Sequence, residues 1–344
     1  MPIKGQIDDK AESNPLISIL MPVKNAEIFL NECIDSIINQ AEGNWELIAI
    51  NDHSSDSSFE ILTSYSRSDS RIKAIQNKGN GIIRALRTAL KCARGSLITR
   101  MDADDIMTMS KLKILKKNIL QAGEGSIAVG GVRYFSNDEL GEGYKKYALW
   151  LNGLTSKGDN FKEIYKECVI PSPCWMLHKS DLVNCEAFDS DIYPEDYDLC
   201  FRFYKNKLRV TPCVDILHLW RDHQERSSRN LPEYSDNFFL VLKLKYFVTI
   251  DYDVKKRLII WGAGKKGKKV AASLQEKGIA FTWVCNNSKK IGRDIYGITL
   301  ENPKNLNLKS QCQVLIVVAN QKDKKMISVH PAIMTKDSEV FHFC

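Results

Sequence analysis

Short apolar runs alternate with stretches of helical spacing through the first hundred residues. LISILM (16–21), WELIAI (45–50), IKAI (72–75) and SLIT (96–99) are near-continuous apolar runs, the pattern of strands buried on both faces. Between them, 26–40, 56–67 and 81–93 repeat apolar residues at three- and four-residue intervals over helical lengths. This alternation predicts an α/β sheet with helices on both faces. One more helix is expected over about 110–121, followed by an irregular, glycine- and aromatic-rich stretch over 123–170. PSPCWMLHKS (171–180) reads as a short strand or turn. PEDYDLCFRFYKNK (194–207) reads as a helix, with proline at its start and acids in its first turn. FFLVLKLKYFV (238–248) is an apolar helix with two lysines. At 257 the alternation restarts, with RLIIW, a glycine turn and a helix, then AFTWVCNN and QVLIVVAN as two further buried strands.

The expected organisation is a flexible lead-in over 1–15, a large α/β domain over 16–235, a helical linker over 236–256 and a small Rossmann-like domain over 257–344. Charge supports the division. Of the 49 basic and 42 acidic residues, 17 and 6 fall from Lys255 onward, so the second region is strongly cationic and the first slightly anionic. The ten cysteines form no C-x-x-C pair, which predicts reduced, mostly buried thiols in a cytoplasmic protein and argues against a zinc site. No apolar stretch reaches about 18 residues, so no membrane-spanning helix is expected. The N-terminus lacks the apolar core of a signal peptide.

In sheets of this kind, ligands bind at the carboxyl ends of the strands. Three polar clusters fall there: PVKN (22–25), NDHSSD (51–56) and RMDADD (100–105). The last packs three carboxylates into four residues, so a positive partner is expected. A divalent cation bridging carboxylates to a diphosphate is one such partner. The alternative is a solvated loop with one acid capping the next helix. Alternation along a strand end puts Asp102 and Asp104 on one side.

SILMPVKNAEIFLNECIDSIINQ, WELIAINDHSSDSS, DSRIKAIQNKGNGIIRAL, ARGSLITRMDADD and PEDYDLCFRF, in that order and spacing, resemble the family 2 glycosyltransferases of GT-A fold over about 16–225. The resemblance implies a mixed Rossmann-like sheet with helices on both faces. It also implies inverting transfer of a sugar from a nucleotide diphosphate sugar to an acceptor hydroxyl. Asp104 then matches the direct ligand of Mn²⁺ or Mg²⁺, and Asp102 the residue near the ribose and the metal's waters, with Ala103 between them on the donor. Asp52 matches the base-binding aspartate. A carboxylate there accepts the imide N–H of uracil and favours a UDP-sugar, whereas an Asx-turn is the structural alternative. Pro22, Val23, Asn25 and Glu27 match the nucleotide-cradling loop, and Gly81 the glycine before the next helix. Asp196 matches the general base, with Glu195 its neighbour; acids at a helix start are the bland alternative. LHLWRDHQERSS (217–228) places Arg221 and His223 for the diphosphate or the metal. The signature of processive synthases is absent, which favours single-sugar transfer.

Gly262, Gly264 and Gly267 form a G-x-G-x-x-G turn after a strand, a second candidate nucleotide site. The acid that such a motif wants at the end of the next strand is replaced by Asn286 and Asn287. A nucleotide sugar, a phosphate or no ligand is equally open there. Lys265, Lys266, Lys268 and Lys269 read as a solvated run or as a peripheral contact with an anionic membrane, where lipid-linked glycan acceptors lie. Nucleic acid is disfavoured, since no matching motif accompanies the charge. The expected location is cytoplasmic, at the inner face of the membrane in the second case. An NAD-dependent oxidoreductase or epimerase carried by 257–344, and a basic adaptor for membrane surfaces, are the competing functions.

Overall fold

The computed structural model describes residues 14–136, 139–230, 234, 236–306, 311–334 and 338–344. Most of the lead-in expected over 1–15 lies outside the described residues. The chain forms two compact units. The first runs to Asp159 and also takes Ile170–Asp191 and Asn206–His223; the second comprises Asn160–Val169, Ile192–Lys205 and Gln224–Cys344.

The first unit opens with β1 (Ile17–Val23), α1 (Glu27–Ile38), β2 (Trp45–Asn51), α2 (Ser58–Ser68), β3 (Ile72–Gln76), α3 (Ile82–Cys92) and β4 (Leu97–Arg100). These elements lie within a residue or two of those read from the apolar pattern. The four strands pair in parallel in the order β3-β2-β1-β4. Each link is a helical crossover, which returns the chain parallel to the strand it left. Then come β5 (Ile106–Met107), α4 (Lys111–Ala122), β6 (Ser126–Val129), β7 (Gly131–Phe135), α5 (Glu142–Thr155), β8 (Trp175–His178), α6 (Lys179–Asn184), β9 (Arg209–Thr211) and β10 (Ile216–Arg221). Antiparallel β8 docks on β4, and β6 and β9 complete a seven-stranded mixed sheet. A second sheet, β5-β10-β7, sits at the carboxyl end of β4. The stretch 123–170, expected to be irregular, holds β6, β7 and α5. Its strands are four and five residues long, too short for a period to show.

Leu30, Cys33, Ile34 and Ile37 on α1 pack with Leu47, Ala49 and Leu97 of the sheet and are fully buried. Each large aliphatic side chain so buried contributes roughly 1.5–3 kcal/mol. One member of β2 breaks the apolar run. Glu46 is 1% exposed. Its carboxylate accepts hydrogen bonds from Ser18 Oγ (2.8 Å), Lys73 Nζ (2.8 Å), Arg94 N (2.6 Å) and Arg94 Nε (3.0 Å). Burial raises its pKa, but these donors outweigh burial and bring it down to about 2.

The second unit contains α7 (Glu195–Lys205), α8 (Ser227–Asn230), α9 (Asp236–Tyr246) with a π-helical turn over Phe247–Asp251, and β11 (Arg257–Trp261), α10 (Lys265–Glu276) and β12 (Thr282–Val284). The hairpin β13 (Asp294–Ile295) and β14 (Ile298–Thr299) follows, then β15 (Cys312–Ile316), α11 (Gln321–Ser328), α12 (Pro331–Met334) and β16 (Ser338–His342). Its main sheet, β12-β11-β15-β16, is all parallel. Helix α9, expected as a linker, belongs to this unit, and so does α7. Among the described residues no helix is long and apolar enough to cross a membrane. All ten cysteines are free thiols, eight of them buried.

Glu46→Gln is expected to destabilise the first unit by about 3 kcal/mol at pH 7, because it leaves buried donors without their anion. The folded pKa lies below the unfolded one, so the Glu46 contribution is complete above about pH 4.5 and is lost as pH falls towards 2. Urea melts at pH 7 and pH 3 check both statements: the gap between variant and wild type narrows at the lower pH.

Candidate active site

The carboxyl edge of the β3-β2-β1-β4 ladder carries two groups of polar residues, each built by loops that tie to one another. Pro22 and Val23 end β1, opposite Ile50 and Asn51 of β2. Asn25 follows in the left-handed region (φ 49°), which asparagine tolerates. Its amide donates to Ser54 Oγ (3.0 Å), and its side-chain oxygen accepts from Ser55 N (2.9 Å). Glu27 N donates to Asp56 Oδ2 (3.0 Å), while Glu27 Oε2 accepts from Ser57 N (2.8 Å). Asn25 and Glu27 thus hold the second loop in place.

Asp52 is 3% exposed. It accepts from Asn77 Nδ2 (2.7 Å), and both its oxygens lie 3.0 Å from Gly81 N. Lys24 Nζ, on a largely exposed side chain, stands 3.7 Å from Asp52 Oδ2. Gly81 has φ 91° and caps α3, so the carboxylate sits at the positive end of a helix dipole. The Asx-turn falls instead to Asn51 and Asp56, which receive Ser54 N and Ser58 N. Asn77 was not singled out from the sequence, since an asparagine after a strand reads as turn punctuation. Arg87 turns away, its Nε donating to Phe188 O (2.7 Å).

The acidic cluster lies in a turn, Asp105 N donating to Asp102 O (3.2 Å), and not on a strand end. Asp102 and Asp104, expected to alternate along a strand end, lie instead in this turn. Asp102 Oδ1 accepts from Arg100 Nε (2.7 Å), and its Oδ2 from Ser172 Oγ (3.3 Å). Ala103 is buried in the core. Asp104 Oδ2 lies 2.9 Å from His223 Nε2, with side chains 26% and 21% exposed. Asp105 caps no helix; it is buried against His218 and the amide of Arg221. Arg221 Nε donates to Asp104 O (2.7 Å), and a second guanidinium nitrogen pairs with Glu32. Its plane lies between Phe29 (4.8 Å) and Phe135 (4.5 Å). Phe29 also packs on the His223 ring at 4.7 Å. Burial lowers the pKa of Lys111 beneath this turn, with Cys174, Asp105 and Asp102 pulling the other way.

Among the described residues no group of three or more His, Cys, Asp or Glu is arranged to hold a metal ion. The donor set present is Asp104 with His223. One carboxylate and one imidazole, partly open, suit a hard cation that takes few protein ligands and completes its shell with phosphate and water.

The second unit carries the other residues. Glu195 and Asp196 begin α7 after a cis Tyr193–Pro194 bond. Glu195 is buried and accepts from Tyr234 Oη (2.5 Å); Asp196 Oδ1 accepts from Tyr197 N (2.7 Å) and the residue stays half-buried. Further along, Arg202 Nε donates to the buried Asp198 Oδ2 (2.6 Å), an ion pair one turn apart on α7. In the glycine turn, Gly262 has φ 124° and its carbonyl accepts from Trp283 Nε1 (2.9 Å). A Cβ at Gly267 would stand 2.0 Å from Gly262 O, whereas one at Gly264 would meet open space. Asn286, at the position where a dinucleotide site wants an acid, accepts from Trp261 Nε1 (3.1 Å).

The Glycosyl transferase family 2 profile matches residues 18–184. The UDP-Glc:alpha-D-GlcNAc-diphosphoundecaprenol beta-1,3-glucosyltransferase WfgD of Escherichia coli is 31% identical over 223 residues, 62% of this chain and 80% of that protein. The uncharacterized glycosyltransferase EpsJ of Bacillus subtilis is 27% identical over 215 residues, and the match spans 62% of its length. S. aureus TarS 1–349, solved with UDP-GlcNAc, superposes with a TM-score of 0.55 at 16% identity, over 76% of this chain and 71% of that one. The mannosyltransferase PcManGT from Pyrobaculum calidifontis, solved with GDP-Man and Mn²⁺, gives 0.51 at 14%, over 75% and 69%. The fold is GT-A, a mixed sheet flanked by helices. The chain belongs to glycosyltransferase family 2.

Gly267→Ala is expected to destabilise the second unit by more than about 2 kcal/mol, because the clash is with backbone. Gly264→Ala is expected to stay within about 1 kcal/mol. Thermal melts of the two variants check the contrast.

Proposed function

We propose that the protein is an inverting, metal-dependent glycosyltransferase that moves one sugar from a UDP-sugar to an acceptor hydroxyl during the building of a surface glycan. The observation that carries this reading is the pairing, in one unit, of a buried, donor-locked Asp52 with an open Asp104–His223 pair. Both sit at the carboxyl edge of the parallel strands, where ligands of α/β sheets bind. Asp52, beside a helix N-terminus, accepts the imide N–H of uracil. Pro22, Val23, Asn25 and Glu27 shape the loop beside it. Asp104 and His223, with Asp102 close by, would hold Mn²⁺ or Mg²⁺. When bound, the cation supplies positive charge against that growing on the departing diphosphate. Arg221 orients the carbonyl end of Asp104 and adds charge nearby.

Asp196 is the proposed general base. As the acceptor oxygen bonds to the anomeric carbon, the bond from that carbon to the diphosphate oxygen breaks, and the hydroxyl proton passes to the Asp196 carboxylate. Attack opposite the leaving group inverts the centre. Glu195, held by Tyr234, orients the acceptor. WfgD's name describes a lipid-diphosphate acceptor, which supports a lipid-linked glycan here. The lysines at the start of α10 supply charge for a peripheral contact with an anionic membrane.

A thermal-shift panel of nucleotide sugars with and without Mn²⁺ tests the donor. UDP-sugars are expected to raise the melting temperature, and to raise it further with metal present, since ligand at a hundred times its Kd adds about 2.7 kcal/mol. A panel in which no nucleotide sugar stabilises the protein overturns the reading. Asp104→Ala is expected to lower metal-dependent UDP-sugar turnover at least ~100-fold, and Asp196→Asn to cost ~100-fold or more in transfer with donor binding retained.

A further inference from the structure

Beneath the acidic turn lies a chain of buried polar groups that the proposed reaction does not use directly. Asp105, His218 and Lys111 are 1%, 0% and 0% exposed. Asp105 Oδ2 lies 2.9 Å from His218 Nε2, and His218 Nδ1 lies 3.1 Å from Lys111 Nζ. The same ammonium donates to Pro173 O. An ammonium has donors only, so Nδ1 accepts and Nε2 must carry the proton that goes to Asp105. The lysine thereby fixes the histidine tautomer.

Burying charged groups costs several kcal/mol each, and apolar residues of similar volume commonly serve stability as well or better. The placement gives the network another use. Asp105 Oδ1 accepts from Arg221 N (2.8 Å), and Arg221 Nε donates to Asp104 O (2.7 Å). Asp104 and Asp105 are neighbours, and His223 follows Arg221 by two residues. The strand end that carries His223 is thus pinned to the turn that carries Asp104 at two points. At its other end, the Lys111 ammonium holds Pro173, the neighbour of Ser172, whose hydroxyl meets Asp102. The turn that bears the acids, the segment that bears His223 and the segment that bears Ser172 are all tied to one buried line.

We infer that Asp105, His218 and Lys111 are positioning residues that set the spacing of Asp104 and His223, and so the affinity of the site for its divalent cation. This rests on the proposed metal-dependent reading. The line touches neither donor nor acceptor; it acts through the ligands, as outer hydrogen-bond partners do at metal sites, where their loss costs 10–100-fold in affinity.

The test measures Mn²⁺ binding to the full chain in the presence of UDP by electron paramagnetic resonance. UDP binding in EDTA and the thermal midpoint are followed in parallel. His218→Gln keeps an amide donor close to the Nε2 position; His218→Asn is too short to reach Asp105, and His218→Leu has no donor. The Asn and Leu variants are expected to raise the Mn²⁺ Kd at least tenfold. Gln should remain within about threefold of wild type, and UDP binding in EDTA should not change. Should the His218 variants not fold, Lys111→Met decides, with an expected rise of threefold or more. Equal Kd values in wild type, Asn and Leu overturn the inference, as does a Gln variant that loses as much as Asn, or a Lys111→Met variant that matches wild type. A wild-type protein that binds no Mn²⁺ with UDP overturns the metal reading itself, and that failure is seen before any variant is made.

Discussion

Three carboxylates in four residues can share one turn only if each is met by its own donor. At 4 Å and an effective dielectric of about 20, two like charges repel by about 4 kcal/mol. The fold meets this with a separate set of partners for each acid. Arg100 and Ser172 take Asp102, His223 faces Asp104, and His218 with the Arg221 amide takes Asp105. The consequences spread outward. The short sheet β5-β10-β7 exists at the end of β4 so that β10 can bring His218, Arg221 and His223 to this turn. Asp105 is buried, whereas Asp102, Asp104 and His223 stay partly exposed.

Asp52 follows the same principle by a different route. Its charge is met by a side-chain amide and a helix N-terminus, with a lysine at longer range. Such fixed dipoles hold the carboxylate in one orientation. The loop that carries it is cross-linked to the loop after β1 through Asn25, Glu27, Asp56 and Ser54. Residues expected to touch the nucleotide therefore hold one another, which ties the two loops together.

In the second unit, two of the three glycines in the turn answer to packing. Gly262 supplies a left-handed backbone, and Gly267 lets α10 approach the strand. Gly264, where a Cβ would meet open space, has no such packing reason. Asn286, bonded to Trp261, offers no acid for a ribose. The cationic character of this region is a surface property of its lysines, several of them at the start of α10.

The sequence alone determined the parallel half of the sheet, its crossover helices, the glycine turn and the family to which the chain belongs. Those features are written in local periods and in short motifs of fixed spacing, which survive without knowledge of contacts. It did not reveal β6, β7 and α5 in the stretch 123–170, where strands of four or five residues carry too little pattern. Nor did it reveal which side chains meet Asp102 and Asp104, that Asn77 secures Asp52, or that Asp105 is buried on a histidine. Only the tertiary structure decided these, because the partners lie far apart along the chain, His218 being 113 residues from Asp105. A carboxylate's role is set by which donor reaches it, and no local period encodes a donor that arrives from another strand.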